Sequence, residues 1–163
     1  MNIKIKMNYL NDTWSLYFHD PYDIEWDNSS YKMIATISTI EDFVQYYLAF
    51  KHLFYKGMFF LMRTDVMPRW EDDLNANGGC FSFKVMYHDL DDKWFSFCAN
   101  LLGENIGIDE NMSQNINGIS ISPKKNYYII RIWIKDKKYT KRNYYNIDIP
   151  EYSTLMYKNH IEK

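Results

Sequence analysis

The sequence predicts an α+β fold, an antiparallel sheet joined by hairpins with two helices that must cover one of its faces. Three observations carry this. Short runs with apolar residues at alternate positions outnumber segments with helical spacing. Turn residues separate these runs. Aromatic residues make up 18% of the chain, a share that suits a sheet packed by rings. At 163 residues the chain reads as one domain, 1–163, able to bury most of its own core.

The elements follow in order. Trp14 to Phe18 reads as a strand, then His19 to Asp23 as turn and loop leading to Trp26. Tyr31 to Ser38 is a second strand, with Met33, Ala35 and Ile37 on one face. Ser38 or Thr39 can cap a helix whose first turn holds Glu41 and Asp42. Ile40, Phe43, Val44, Tyr47 and Leu48 then recur at helical spacing, and Gly57 ends the region. Met58 to Thr64 is a strand, Asn77-Gly78-Gly79 a turn, and Cys80 to His88 another strand. Asp91-Asp92 begins a second helix carrying Trp94, Phe97, Cys98, Leu101 and Leu102, closed by Gly103. Residues 105–115 read as polar loop. Ile116 to Ser122 and Tyr127 to Ile134 are strands joined by Pro123-Lys124-Lys125-Asn126, and a last strand is expected over Tyr144 to Ile149.

Composition excludes several classes. The net charge of -2 lacks the basic excess of a protein that grips long nucleic acid by its phosphates. Cys80 and Cys98 form no disulfide framework and suit a reducing compartment. The four histidines pair with no cysteine or acidic cluster at ligand spacing, so no metal and no cofactor is expected. The start, Met1 to Lys6, has no apolar leader core, and no stretch approaches a membrane span. Three glycosylation sequons are therefore read as chance matches in an Asn-rich chain. The excess of Lys over Arg, with abundant Asn, Ile and Tyr, suggests an AT-rich genome, such as that of a large DNA virus or a protist.

The most informative segment is Met67-Pro68-Arg69-Trp70-Glu71-Asp72. Proline stiffens the backbone just before a large indole that sits beside a carboxylate. Such a loop suits a flat, electron-poor, hydrogen-bond-donating ring, and Trp26 upstream can cover the ring's other face. A positively charged purine such as 7-methylguanine fits. It stacks between indoles, and its N1–H and exocyclic amine are donors that one carboxylate accepts side by side.

With the elements placed, the chain resembles the translation initiation factor 4E family, which binds the 5′ cap of messenger RNA. The resemblance runs from about Leu10 to about Ile134. It rests on Trp14-x-Leu16, Thr39-Ile40-Glu41-Asp42-Phe43, Pro68-x-Trp70-Glu71-Asp72 with Asn75 and Gly78-Gly79, Trp94 with Leu102-Gly103-Glu104, and Gly118 followed by Trp133. It implies a single curved sheet of about six to eight strands, two or three helices on the convex face and a cap slot on the concave side. By resemblance Trp26 and Trp70 sandwich the methylated base, Glu71 accepts from N1–H and the amine, the Trp70 backbone N–H meets O6, and Trp133 lies against the N7 methyl.

Other positions depart from the family pattern. The family's arginine after the Gly-Gly pair is Cys80, its next arginine is Lys124, and its lysine is Ile129. Arg131 lies two residues from both Ile129 and Trp133, hence on their face. Lys124 and Arg131, helped by Lys125, are the expected phosphate grip. The face that docks the family's scaffold partner contains Ile40, Val44 and Phe95, and Val44 stands where the family has tryptophan. The usual partner peptide is expected to bind poorly, leaving room for a divergent scaffold. Residues 136–143 are too short for the family's long third helix, which is expected to be missing or reduced to a turn.

The expected function is cap binding in translation initiation, by a monomer in the cytoplasm, the host's if the gene is viral. The alternative is a decoy or repressor that holds the cap without recruiting the scaffold. A cap-modifying enzyme finds no support: there is no R-E-x-x-E-E cluster, glycine loop or nucleophile–base pair.

Overall fold

The structure, a computed structural model, describes residues 3, 4 and 6–161. The leader reading at Met1, Asn2 and Ile5 lies outside the described residues. Seven strands form one antiparallel sheet: β1 (Tyr9–His19), β2 (Lys32–Thr39), β3 (Met58–Arg63), β4 (Gly79–Val85), β5 (Ile116–Pro123), β6 (Tyr128–Ile134) and β7 (Met156–Asn159). Their order across the sheet is β2-β1-β3-β5-β6-β4-β7.

Strand alternation sorts the side chains into two layers. Trp14, Leu16, Phe59, Leu61, Phe81, Phe83, Ile119, Ile130 and Ile132 point to one face and are buried. That face is covered by α1 (Ile40–Phe50) and α2 (Leu90–Leu102), which contribute Phe43, Tyr47, Trp94, Phe97 and Leu101. Thr39 caps α1. Its hydroxyl accepts from the Asp42 amide at 3.0 Å, and the Asp42 carboxylate accepts from the Thr39 amide at 3.1 Å. Gly103 closes α2, its N–H returning to the Ala99 carbonyl.

Two readings are corrected, and the expectation that residues 136–143 carry no long helix holds. The polar stretch 105–115 contains a short helix, α3 (Glu110–Gln114), capped by Asp109. Its brevity and its few buried residues hid it from a periodicity reading. Tyr144 to Ile149 is not a strand of the sheet. Tyr145 and Ile147 are buried while Asn146 and Asp148 are exposed, so the alternation is real. It comes from packing along residues 106–108, through a single bridge between Gly107 and Tyr145, rather than from a ladder. The strand that completes the sheet is β7, farther along the tail and paired with β4. After β6, residues 136–143 form no α-helix, and the chain makes a single turn of 3₁₀ helix at Arg142–Tyr144.

Candidate ligand-binding cleft

Among the described residues no helix covers the concave face of the sheet. Its floor is built from cross-strand neighbours. Arg131 on β6 lies between Ser82 on β4 and Ser120 on β5, and Trp133 lies between Cys80 and Gly118. A side chain at Gly118 would stand 2.4 Å from the Leu61 carbonyl oxygen, so only glycine lets β5 lie this close to β3. The Trp133 indole is buried, and its N–H donates to the Ser120 hydroxyl at 3.0 Å. Phe60 meets it edge-on at 6.3 Å.

Two loops form the walls. The segment between β1 and β2 presents Trp26, 48% exposed. One face of its indole lies flat on the His19 ring, with centroids 4.1 Å apart and planes 7° from parallel. Asp27 then caps a short turn by accepting from the Ser29 and Ser30 amides. The segment between β3 and β4 presents Trp70, 49% exposed. This loop is braced from inside by fully buried Asn75, whose amide donates to the carbonyls of Met67 and Arg69 at 2.8 Å each. Asn117 of β5 in turn donates to the Asn75 side-chain oxygen at 2.9 Å. Arg69 ties the walls together, donating to the Asn28 side chain at 2.7 Å while lying 3.7 Å from the Glu71 carboxylate.

Between the walls lies a cleft of about 620 Å³, a size that suits a nucleotide-scale ligand. Of the residues singled out from sequence, Trp26, Trp70, Trp133, Lys124 and Arg131 line it. Glu71 does not line it, yet its charge acts on two residues that do, Tyr31 and His160. Lys125 is exposed at the β5–β6 turn and lies outside the lining. Ile40, Val44 and Phe95 sit on the two helices of the opposite face, 51%, 45% and 45% exposed. A polar recess of about 630 Å³ lies beside Glu104, Asp109 and Glu110, but it has neither an aromatic wall nor a cation.

Several lining residues escaped the sequence reading. Ser82, Ser120 and Ser122 share the floor with Arg131, and Lys158, Asn159 and His160 come from β7 and its end. Ser120 and Ser122 were within reach, because strand alternation from Gly118 points to them, whereas Ser82 reaches the floor through the pairing of β4 with β6. The tail residues carry no local signal, since their placement depends on long-range pairing with β4.

Burial sets the protonation states around the floor. His160, against Trp133 at 5.1 Å, is pushed down to about 4, with Glu71 opposing the shift. It is therefore neutral near pH 7. Tyr31 is pushed up to about 12 by burial, with Glu71 adding to the shift. The buried Cys80 thiol is driven upward and stays protonated, so it supplies no charge to replace an arginine. Among the described residues no group of His, Cys, Asp and Glu could hold a metal ion, and no helix is long and apolar enough to cross a membrane.

A family model described as "Eukaryotic initiation factor 4E" matches residues 9–162. "Eukaryotic translation initiation factor 4E" of Eremothecium gossypii is 32% identical over 135 residues, covering 77% of this chain and 62% of that protein. The Saccharomyces cerevisiae protein of the same name is 31% identical over 135 residues, covering 78% and 62%. The aligned part thus spans less than two thirds of the length of these relatives. A mimivirus protein described as an initiation factor 4E homolog is 36% identical over 64 residues, 39% of this chain. Among solved structures, a schistosome factor in complex with m7GpppG and 4E-BP superposes with a TM-score of 0.72 at 25% identity, covering 82% of this chain and 75% of that one. An Ascaris suum factor, determined with an m2,2,7G cap, reaches 0.80 over 97% of this chain and 94% of its own, at 20% identity, which speaks for the fold.

Proposed function

Because the chain belongs to the eukaryotic initiation factor 4E family, we propose that it binds the 7-methylguanosine cap of messenger RNA and serves translation initiation in the cytoplasm. The observation that carries this reading is the cleft flanked by Trp26 and Trp70, with Trp133 in its floor. The methylated base stacks between the two exposed indoles. Glu71 accepts from N1–H and the exocyclic amine, the Trp70 backbone N–H meets O6, and Trp133 lies against the N7 methyl. Stacking contributes about 1–3 kcal/mol and hydrogen bonds to the charged carboxylate about 1.5–3 kcal/mol each, enough for affinity of order micromolar or tighter. Unmethylated guanine lacks the fixed positive charge and binds much more weakly.

The triphosphate runs along the floor toward Arg131 and Lys124, with Lys125 at the turn and Ser82, Ser120 and Ser122 as neutral donors. Lys158, which lines the same cleft, is the further cation there. The role is binding rather than catalysis. The test is retention on immobilised 7-methyl-GTP, competed by free 7-methyl-GTP and poorly by GTP. Trp70→Ala or Glu71→Ala should clearly weaken retention, and a Trp70→Ala protein retained as firmly as wild type would refute the site.

On the helical face, Ile40, Val44 and Phe95 form an exposed apolar surface suited to a scaffold protein of divergent sequence. Val44, half exposed in place of a tryptophan, favours a second reading in which the protein holds the cap without recruiting the ordinary scaffold. Capped-reporter translation separates the two: a factor raises it when added, and a decoy lowers it.

A further inference from the structure

The two indole walls of the cleft are held by different means. The Trp70 loop is fixed from inside the fold. The Arg69 carbonyl accepts from the side-chain amide of fully buried Asn75 at 2.8 Å and from the Asp72 N–H at 3.2 Å. The Trp26 segment is fixed ahead of the indole. The His19 ring lies flat on Trp26, and its two nitrogens lie 2.8 Å from the carbonyl oxygens of Asp20 and Glu25. After Trp26 the chain runs exposed from Asp27 to Ser29 and is shaped by its own short turn, with Asp27 accepting from the Ser29 and Ser30 amides. A turn of this kind sets its own shape but not its distance from the opposite wall.

One side chain spans that distance. Arg69 stands at the position that the motif Pro68-x-Trp70 leaves open. Its Nη1 donates to the Asn28 side-chain oxygen at 2.7 Å, and its Nη2 lies 3.7 Å from Glu71 Oε1. Among the described residues no other hydrogen bond joins residues 20–31 to residues 64–78. The guanidinium is a rigid plane, so one nitrogen can face the far wall while the other faces Glu71. Arg69 and Glu71 flank Trp70 in the chain, and their contact steadies the cation beside that indole. Asp27, next to Asn28, feels the same charge: its carboxyl is held below the ordinary value first by the Ser29 hydroxyl and, more weakly, by Arg69. A line of contacts thus runs from buried Asn75 through the Arg69 backbone and guanidinium to Asn28, two residues past Trp26.

We propose that Arg69 is a positioning residue: through Asn28 it ties the Trp26 wall to the Trp70 wall, so that the slot for the ligand's ring stands at its working width before the ligand arrives. A slot already at that width spares the ligand the entropy of ordering it. Cutting the tie leaves the strands and the Trp70 loop in place and frees the chain that follows Trp26. An apolar side chain of similar length at position 69 has no donor for Asn28 and cannot replace the tie. The consequence for affinity rests on the cap reading, whereas the tie itself does not.

The direct test is NMR relaxation of the indole N–H groups in the ligand-free full chain with ¹⁵N-labelled tryptophan, which reads fast motion. Trp26→Phe and Trp70→Phe assign the signals. In Asn28→Ala the Trp26 N–H should gain fast motion, while the Trp70 N–H, braced through Asn75, stays as in wild type. Trp26 relaxation equal to wild type in Asn28→Ala would overturn the tie. The second arm measures affinity for 7-methyl-GTP by fluorescence quenching. Asn28→Ala and Arg69→Met should each bind several-fold more weakly. The double variant should bind no more weakly than Arg69→Met, because both changes remove the same bond. Losses that multiply in the double variant would mean that the two residues act independently, and the positioning role would fall. Asn28→Asp keeps an oxygen for the guanidinium and should bind close to wild type, and affinity as low as that of Asn28→Ala would also remove the role. Should Arg69→Met fail to fold, Asn28→Ala against Asn28→Asp, at an exposed position, decides both arms. Failure of wild type itself to bind 7-methyl-GTP would sink the cap reading, while the relaxation data still decide the tie.

Discussion

Arg63 and Arg131 hold opposite positions in the economy of this sheet. Arg63, at the end of β3, is buried and saturated. Its guanidinium donates to both Glu104 oxygens at 2.7 and 2.8 Å, to Asp12 at 2.8 Å, and to the carbonyls of Ile116 and Ser113 at 2.8 and 2.9 Å. It also lies 4.4 Å over the Trp14 ring. Arg131, in the middle of β6, has its described hydrogen bond with the Ser122 hydroxyl at a long 3.5 Å. One cation has its anions supplied by the chain. The other faces an open cleft with neutral serines as neighbours across the strands. A structural cation carries its own counter-charge, whereas a ligand-binding cation leaves donors for a counter-charge from outside.

The comparison breaks most visibly at Glu104. Glu104→Gln should destabilise the fold by about 3–5 kcal/mol, because it leaves a buried guanidinium short of its bidentate partner. Urea denaturation measures this, and a midpoint close to wild type would remove the distinction between the two arginines. Trp70→Ala should do the reverse. With a half-exposed indole lost, stability changes by no more than about 0.5 kcal/mol, while affinity for 7-methyl-GTP falls by about 1–3 kcal/mol. Paired melting and fluorescence-quenching titrations check both halves. Arg131→Ala should weaken 7-methyl-GTP binding several-fold and lower the salt slope of binding by roughly one counterion, with the fold intact. Unchanged affinity would return Arg131 to the status of a surface cation.

The smallest expected effect is at His160. Its folded value of about 4 lies below the ordinary 6.5. Between these pH values the unfolded chain binds more protons than the folded one, so stability falls as pH drops through this window and is fully retained above it. His160→Gln should flatten that part of the stability–pH curve. An unaltered slope would mean that His160 is not held neutral against Trp133.

Much of the fold was readable because its signals are local. The capping box at Thr39 and Asp42, the α2 stripe of Trp94, Phe97 and Leu101, and the alternation of β5 and β6 each lie within a few residues. The pairing of Trp70 with Glu71, and the bracing residue Asn75, were visible as one contiguous motif. The missed pieces have a common cause. Tyr145 and Ile147 show perfect alternation yet form no strand, because burial against a loop produces the same pattern as burial in a sheet. His160 and Lys158 give no sign in sequence that they reach the cleft.

The sequence by itself determined six of the seven strands, the two covering helices, the stiff loop carrying Trp70 and the chemistry that loop offers to a flat cationic ring. These depend on period, capping and adjacency, all written in neighbouring residues. Only the tertiary structure decided that β7 pairs with β4 and brings His160 to Trp133, that Ser82 and Ser120 flank Arg131, that Arg69 joins the two walls through Asn28, and that both nitrogens of His19 meet carbonyls beneath Trp26. Strand register and loop return bring together residues far apart in the chain, and a contact of that kind leaves no periodic trace in either partner.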